Sequence, residues 1–159
     1  MVDIAAFDPG VATGIAHYTE YGEADDIKRI FQSFEIKPKD YPHPHEILFD
    51  TISTLVPKRI VYETFDFRSG QMGAVFDGVE YIGVIELYGQ TRCLEIIKQT
   101  PGYGKSGFWN DHKLKNLGVH KPGKPLANDA MRHLLTLKAK DPDFMRWALE
   151  QLREQLHDS

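Results

Sequence analysis

The chain is 159 residues long, room for one domain or one domain with a helical tail, and its 42% apolar and 26% charged residues suit an ordinary folded core. No apolar run reaches the ~18 residues of a membrane-spanning helix, which argues against a membrane partner, and a lone cysteine, Cys93, excludes an internal disulfide or a multi-cysteine zinc site. The net charge of −4 is unevenly spread: residues 92–140 hold ten Lys or Arg against three acids, a net of +7 that leaves −11 elsewhere, and a basic segment on an acidic body is the footprint of a phosphate-binding surface.

The first twenty residues carry Asp3, Asp8 and Glu20 and no basic stretch leading into an apolar one. A secretory signal is therefore not expected, and a reducing cytoplasm is the expected location. Val2 to Phe7 is a short apolar run closed by Asp8-Pro9-Gly10, which predicts a buried strand ending in a turn. Gly14 to Tyr18 is a second strand, close enough to pair with the first as a hairpin. Arg29 to Ile36 alternates in polarity and predicts a third. Glu46 to Val56 has helical spacing and stops at Pro57. Ile60-Val61-Tyr62-Glu63 lies in a fourth strand, and Val75 to Tyr88 is a strongly apolar helix with Gly89 as its stop.

Arg92 to Lys98 predicts a fifth strand, with Cys93 read as a buried strand residue. Thr100 to Pro125 is rich in Gly, Pro and Lys, with one short helix around Trp109 to Leu117. Its Gly102-Tyr103-Gly104-Lys105-Ser106-Gly107 lacks the spacing of a phosphate loop, and nucleotide binding is rejected there. Leu126 to Ala139 and Asp143 to Leu156 are amphipathic helices. Three adjacent strands followed by strand–helix alternation predict a mixed five-stranded sheet flanked by helices, an α/β fold.

Three carboxylates stand where folding alone does not call for them. Asp8 ends the first buried strand, although Asp-Pro-Gly is also a good turn. Glu63 ends an interior strand, where a glutamate needs a partner or a metal. Asp129 and His133, four residues apart, fall together at the edge of the apolar face of the Leu126–Ala139 helix. Clustered carboxylates repel one another unless a divalent cation intervenes, and an oxygen-only set suits Mg²⁺ or Mn²⁺.

These segments carry a resemblance. Ile4-Ala5-Ala6-Phe7-Asp8-Pro9-Gly10-Val11-Ala12-Thr13-Gly14-Ile15-Ala16 resembles the opening of RuvC-type Holliday junction resolvases, nucleases with an RNase H-like fold. Ile60-Val61-Tyr62-Glu63-Thr64-Phe65 resembles that family's second motif, and Asn128-Asp129-Ala130 its third. The resemblance covers roughly residues 2–140, with the motifs in family order, and the compact layout looks closer to bacteriophage-encoded members. It implies an RNase H-like nuclease domain over residues 1–140, with residues 141–159 as a C-terminal helix packed on it or extending from it.

It further implies a Mg²⁺-dependent endonuclease that holds two ions through Asp8, Glu63 and Asp129 and cuts branched DNA, four-way junctions above all, as a homodimer. The family's fourth ligand, an Asp or His three residues before the final Asp, falls here on Leu126. His133 is the candidate replacement, with Asn128 and Asp66 behind it. Phe67 and Arg68 would meet DNA after the glutamate, and Lys98, Lys105, Lys113 and Lys115 would meet phosphates. A nuclease acting on RNA, RNA–DNA hybrids or flaps, and a non-catalytic junction binder, are the alternatives. The phosphate hairpin of actin-like ATPases is also similar to Asp8–Gly14, but those proteins need two such domains.

Overall fold

A computed structural model describes residues 1–23, 26–65, 72–102 and 107–157, and for 72–75 and 156–157 only the backbone. Five strands, β1 (Val2–Asp8), β2 (Thr13–Tyr21), β3 (Lys28–Ile36), β4 (Pro57–Glu63) and β5 (Glu95–Gln99), form one sheet in the order β3-β2-β1-β4-β5. β1–β2 and β2–β3 pair antiparallel, whereas β4 adds parallel to β1 and β5 parallel to β4. The mixed sheet is therefore as expected. β1 and β4 lie inside it with helices over both faces, which is why they read as nearly unbroken apolar runs.

Four longer helices flank the sheet: α1 (Pro44–Leu55), α2 (Met72–Thr91), α4 (Pro125–Lys138) and α5 (Pro142–His157), with the short α3 (Asp111–Asn116) between α2 and α4. One face buries Val2, Ala5, Phe7, Ile15, Ile60 and Tyr62 against Leu48 and Ile52 of α1 and Tyr81, Ile85 and Tyr88 of α2. The other buries Ile4, Ala6, Ala16, Tyr18 and Val61 against α4 through Ala130, Met131, Leu134 and Leu135. Phe144, Ala148 and Leu152 of α5 join that second core, so the C-terminal helix packs on the body. Its start is fixed by Asp141, whose Oδ1 accepts from the backbone N–H groups of Asp143 (3.1 Å) and Phe144 (3.3 Å).

Two local expectations need correction. Gly89 is not the stop of α2, which runs on to Thr91. A Cβ there would stand 2.5 Å from Ile96 Cδ1, so the glycine leaves room for the Ile96 side chain. Cys93 is not a buried strand residue: it is exposed, with φ 53°, in the turn that reverses the chain between α2 and β5. α2, apolar on most sides, leaves Phe76, Val79 and Leu87 exposed.

Candidate active site

One rung of the sheet collects residues distant in sequence. Asp8 pairs with Gly14, Gly14 with Glu35, and Glu63 with Gln99. Phe7 pairs with Tyr62 in the parallel ladder, so the next step brings Asp8 beside Glu63. Strand residues alternate between faces, and Asp8 and Glu63 share the parity of Ile4, Ala6 and Val61, which meet α4. The two carboxylates therefore end adjacent parallel strands, under the same helix. Each residue is only 9% exposed.

The N-terminal half of α4 forms the roof. A Cβ at Gly14 would lie 2.0 Å from the Leu126 carbonyl oxygen, so only glycine lets the helix come this close to β2. Glu35 holds the same point from β3, its Oε1 accepting from the backbone N–H groups of Leu126 (3.0 Å) and Ala127 (3.3 Å). These are unpaired donors of a helix start, where a carboxylate also meets the positive end of the dipole. Lys124 Nζ stands 3.7 Å from the other oxygen.

His133 is fully buried beneath this roof, not at the surface-facing edge beside Asp129. Its Nε2 is 2.6 Å from Glu63 Oε2 and its Nδ1 is 2.7 Å from Gln99 Oε1. The Asp129 carboxylate pairs with Arg132, one helical turn on. Arg132 also pairs with Asp111 and donates from Nε to the Trp109 carbonyl at 3.0 Å. Asn128 is a structural tie, its amide bonding both the N–H (2.8 Å) and the carbonyl (3.0 Å) of Lys121.

The expected DNA contacts are dispersed. Lys98 lies on the α2 face, opposite the acids, 2.5 Å from Glu86 and 5.9 Å from the Tyr62 ring centroid. The Lys98 hydrogen bond, and then that of Tyr62, hold the Glu86 carboxyl below the usual carboxylate range. Lys113 on α3 sits over the exposed Phe108 ring, 3.1 Å from its centroid, and Lys115 is exposed on the same helix. Phe67, Arg68 and Lys105, with Asp66, lie outside the described residues. Phe65 docks toward α2, where a Cβ on Gly78 would be 2.0 Å from its ring.

Among the described residues no group of three or more His, Cys, Asp or Glu stands close enough to hold one ion. Asp8 and Glu63 supply the hard oxygen donors that Mg²⁺ takes. Asp129 has one oxygen, Oδ1, engaged with Arg132. The donor chemistry thus fits a divalent cation at the strand ends, without a ready-made cage. Sequence reasoning missed Gln99, Glu35 and Arg132. Gln99 carries the same signal as Glu63, a polar side chain closing an apolar strand, whereas nothing local marks Glu35 as the cap of a helix 91 residues away.

No protein-family model matches the chain, and no curated protein matches it. Solved structures do. Thermus thermophilus RuvC superposes with a TM-score of 0.58 at 16% identity, covering 86% of this chain and 92% of its own. T. thermophilus RuvC in complex with a Holliday junction substrate gives 0.62 at 14% identity, covering 89% and 97%. The yeast mitochondrial Holliday junction resolvase Ydc2 gives 0.48 at 14% identity, covering 96% and 81%. The chain thus has the RNase H-like fold of RuvC, over nearly the whole length of both molecules.

Proposed function

We propose that the protein is a metal-dependent endonuclease that hydrolyses phosphodiester bonds in branched DNA, with four-way junctions as its substrate. The observation that carries this reading is the pair Asp8 and Glu63, buried side by side at the ends of adjacent parallel strands in a fold shared with a junction resolvase. Two adjacent buried carboxylates are costly unless a cation or proton offsets their repulsion. Asp8 and Glu63 would hold Mg²⁺, or Mn²⁺ in its place, with Asp129 as the third arm of a two-ion site. When bound, such ions activate a water for attack on phosphorus and stabilise the departing 3′ oxygen.

The chain's own residues supply the setting. His133, on the underside of α4, holds the Glu63 carboxylate from above the strand. The phosphates meet Lys113 and Lys115 on α3, with Phe67, Arg68 and Lys105 as further contacts, so junction binding weakens as salt rises. Lys98, on the far face, contributes to the Glu86 pair instead. Two copies would assemble through the exposed stripe Phe76, Val79 and Leu87 of α2, since symmetric junction cutting needs two sites.

Cleavage of a synthetic four-way junction in Mg²⁺, in Mn²⁺ and in chelator tests this reading. Asp8→Asn and Glu63→Gln abolish cutting while junction binding persists, and chelator has the same effect. Cutting by either variant at the wild-type rate removes that residue from the site. A second reading, a non-catalytic junction binder, is favoured by Leu126 at the fourth ligand position and by the Asp129–Arg132 pair. Tight junction binding without cleavage in either metal would establish it.

A further inference from the structure

Gln99 is linked to Glu63 by two indirect routes. Through the main chain, its carbonyl accepts from the Thr64 N–H at 2.7 Å and from Thr64 Oγ1 at 3.2 Å, pinning the residue that follows the glutamate. Through the side chain it reaches His133. Gln99 Nε2 donates to the His133 carbonyl at 3.3 Å, which commits the amide orientation and turns Oε1 toward the ring. An amide oxygen only accepts, so the ring nitrogen 2.7 Å away, Nδ1, must carry a hydrogen. The bond made by one ring nitrogen sets the state of the other. Nε2 is thereby the atom presented to Glu63 Oε2, 2.6 Å away.

All three side chains are buried, so water does not substitute for a lost bond. A carboxylate at a strand end has a soft torsion and rotates unless something grips it. Here one oxygen is gripped by an imidazole that is itself gripped at both Nδ1 and its backbone carbonyl. The grip on Oε2 orients the Glu63 carboxylate and leaves its other oxygen, Oε1, outside that bond. None of this requires His133 to touch substrate or metal.

We propose that Gln99 is a positioning residue, which clamps His133 with Nδ1 protonated and Nε2 toward Glu63 and so orients the Glu63 carboxylate for the reaction. The effect on rate rests on the nuclease reading, whereas the clamp itself does not. The test is ¹⁵N-histidine NMR of the intact protein together with steady-state junction cleavage, on the wild type, Gln99→Met and Gln99→Glu. In the wild type His133 Nδ1 is protonated and slow to exchange. Gln99→Met, similar in volume but with only a weakly accepting thioether and no donor, loses that fixed state, and its kcat falls on the order of 10–100-fold with KM unchanged, as for partners that orient a ligand. Gln99→Glu keeps an acceptor for Nδ1–H, retains the protonated nitrogen and recovers rate relative to Gln99→Met.

A bare Nδ1 in the wild type overturns the proposal. So does a Gln99→Met protein with the wild-type histidine state or the wild-type rate. If Gln99→Met does not fold, Gln99→Glu decides alone: a protonated Nδ1 supports the clamp and its loss overturns it. If the wild type cuts no junction, the nuclease reading falls, and the NMR result still decides the clamp.

Discussion

Gly14 and Leu126 meet so closely that a single methyl group between them has no place: a Cβ on the glycine would stand 2.0 Å from the Leu126 carbonyl oxygen and 3.0 Å from the Ala127 nitrogen. Backbone cannot move aside as a flexible side chain can, so this contact sets the height of α4 above the rung that carries Asp8 and Glu63. Gly14→Ala should destabilise the protein by about 1–3 kcal/mol, the range for overpacking a filled core. Urea unfolding reads this directly, and an unchanged midpoint would show that the helix shifts at no cost. Junction cleavage should fall further than stability accounts for, because the shift carries His133 away from Glu63.

Glu35 secures the same helix start from β3. Glu35→Ala should cost about 1 kcal/mol, as the loss of a capping acceptor does. Glu35→Gln keeps an acceptor but gives up the negative charge at the positive end of the helix dipole and should cost less. Equal losses in the two variants would assign the whole effect to charge.

Acid should loosen the C-terminal helix first. The Lys138 hydrogen bond, opposed by burial and helped by the Phe144 and Asp143 N–H groups, holds the Asp141 carboxyl below its ordinary value. A depressed folded-state pKa contributes stability that is present above the unfolded value, near 3.8, and is lost as pH falls through the folded one. Asp3 acts in the same direction: burial opposes the shift, but Lys58 and the Glu20 N–H outweigh it. Asp141→Asn should flatten the fall in thermal stability between about pH 5 and pH 2. A slope identical to wild type would remove Asp141 as a source of acid sensitivity.

The exposed α2 stripe makes a separate claim. Leu87 is 56% exposed and Phe76 59%, on a helix whose other side is buried in the core. Leu87→Glu places a charge where a second copy would bury a leucine, which should raise the dimer dissociation constant by 10-fold or more, about 1.4 kcal/mol. Sedimentation equilibrium measures it. A wild-type protein that stays monomeric at high concentration ends the dimer proposal.

Sequence pattern by itself determined the sheet, because strands buried on both faces must be apolar throughout and half-buried ones must alternate. It also marked Asp8 and Glu63, since a carboxylate closing an apolar strand is anomalous without any knowledge of its neighbours. It could not say where Asp129 and His133 would point. The two lie four residues apart on one helix, yet the imidazole is swallowed by the core to meet Glu63 while the carboxylate stays beside Arg132. Helical periodicity gives an angle around an axis, and only the depth at which that helix sits, decided here by Gly14 against Leu126, determines what each side chain reaches. The partners of Glu63 and of the α4 start, Gln99 and Glu35, come from β5 and β3. Their roles are properties of strand register rather than of local composition.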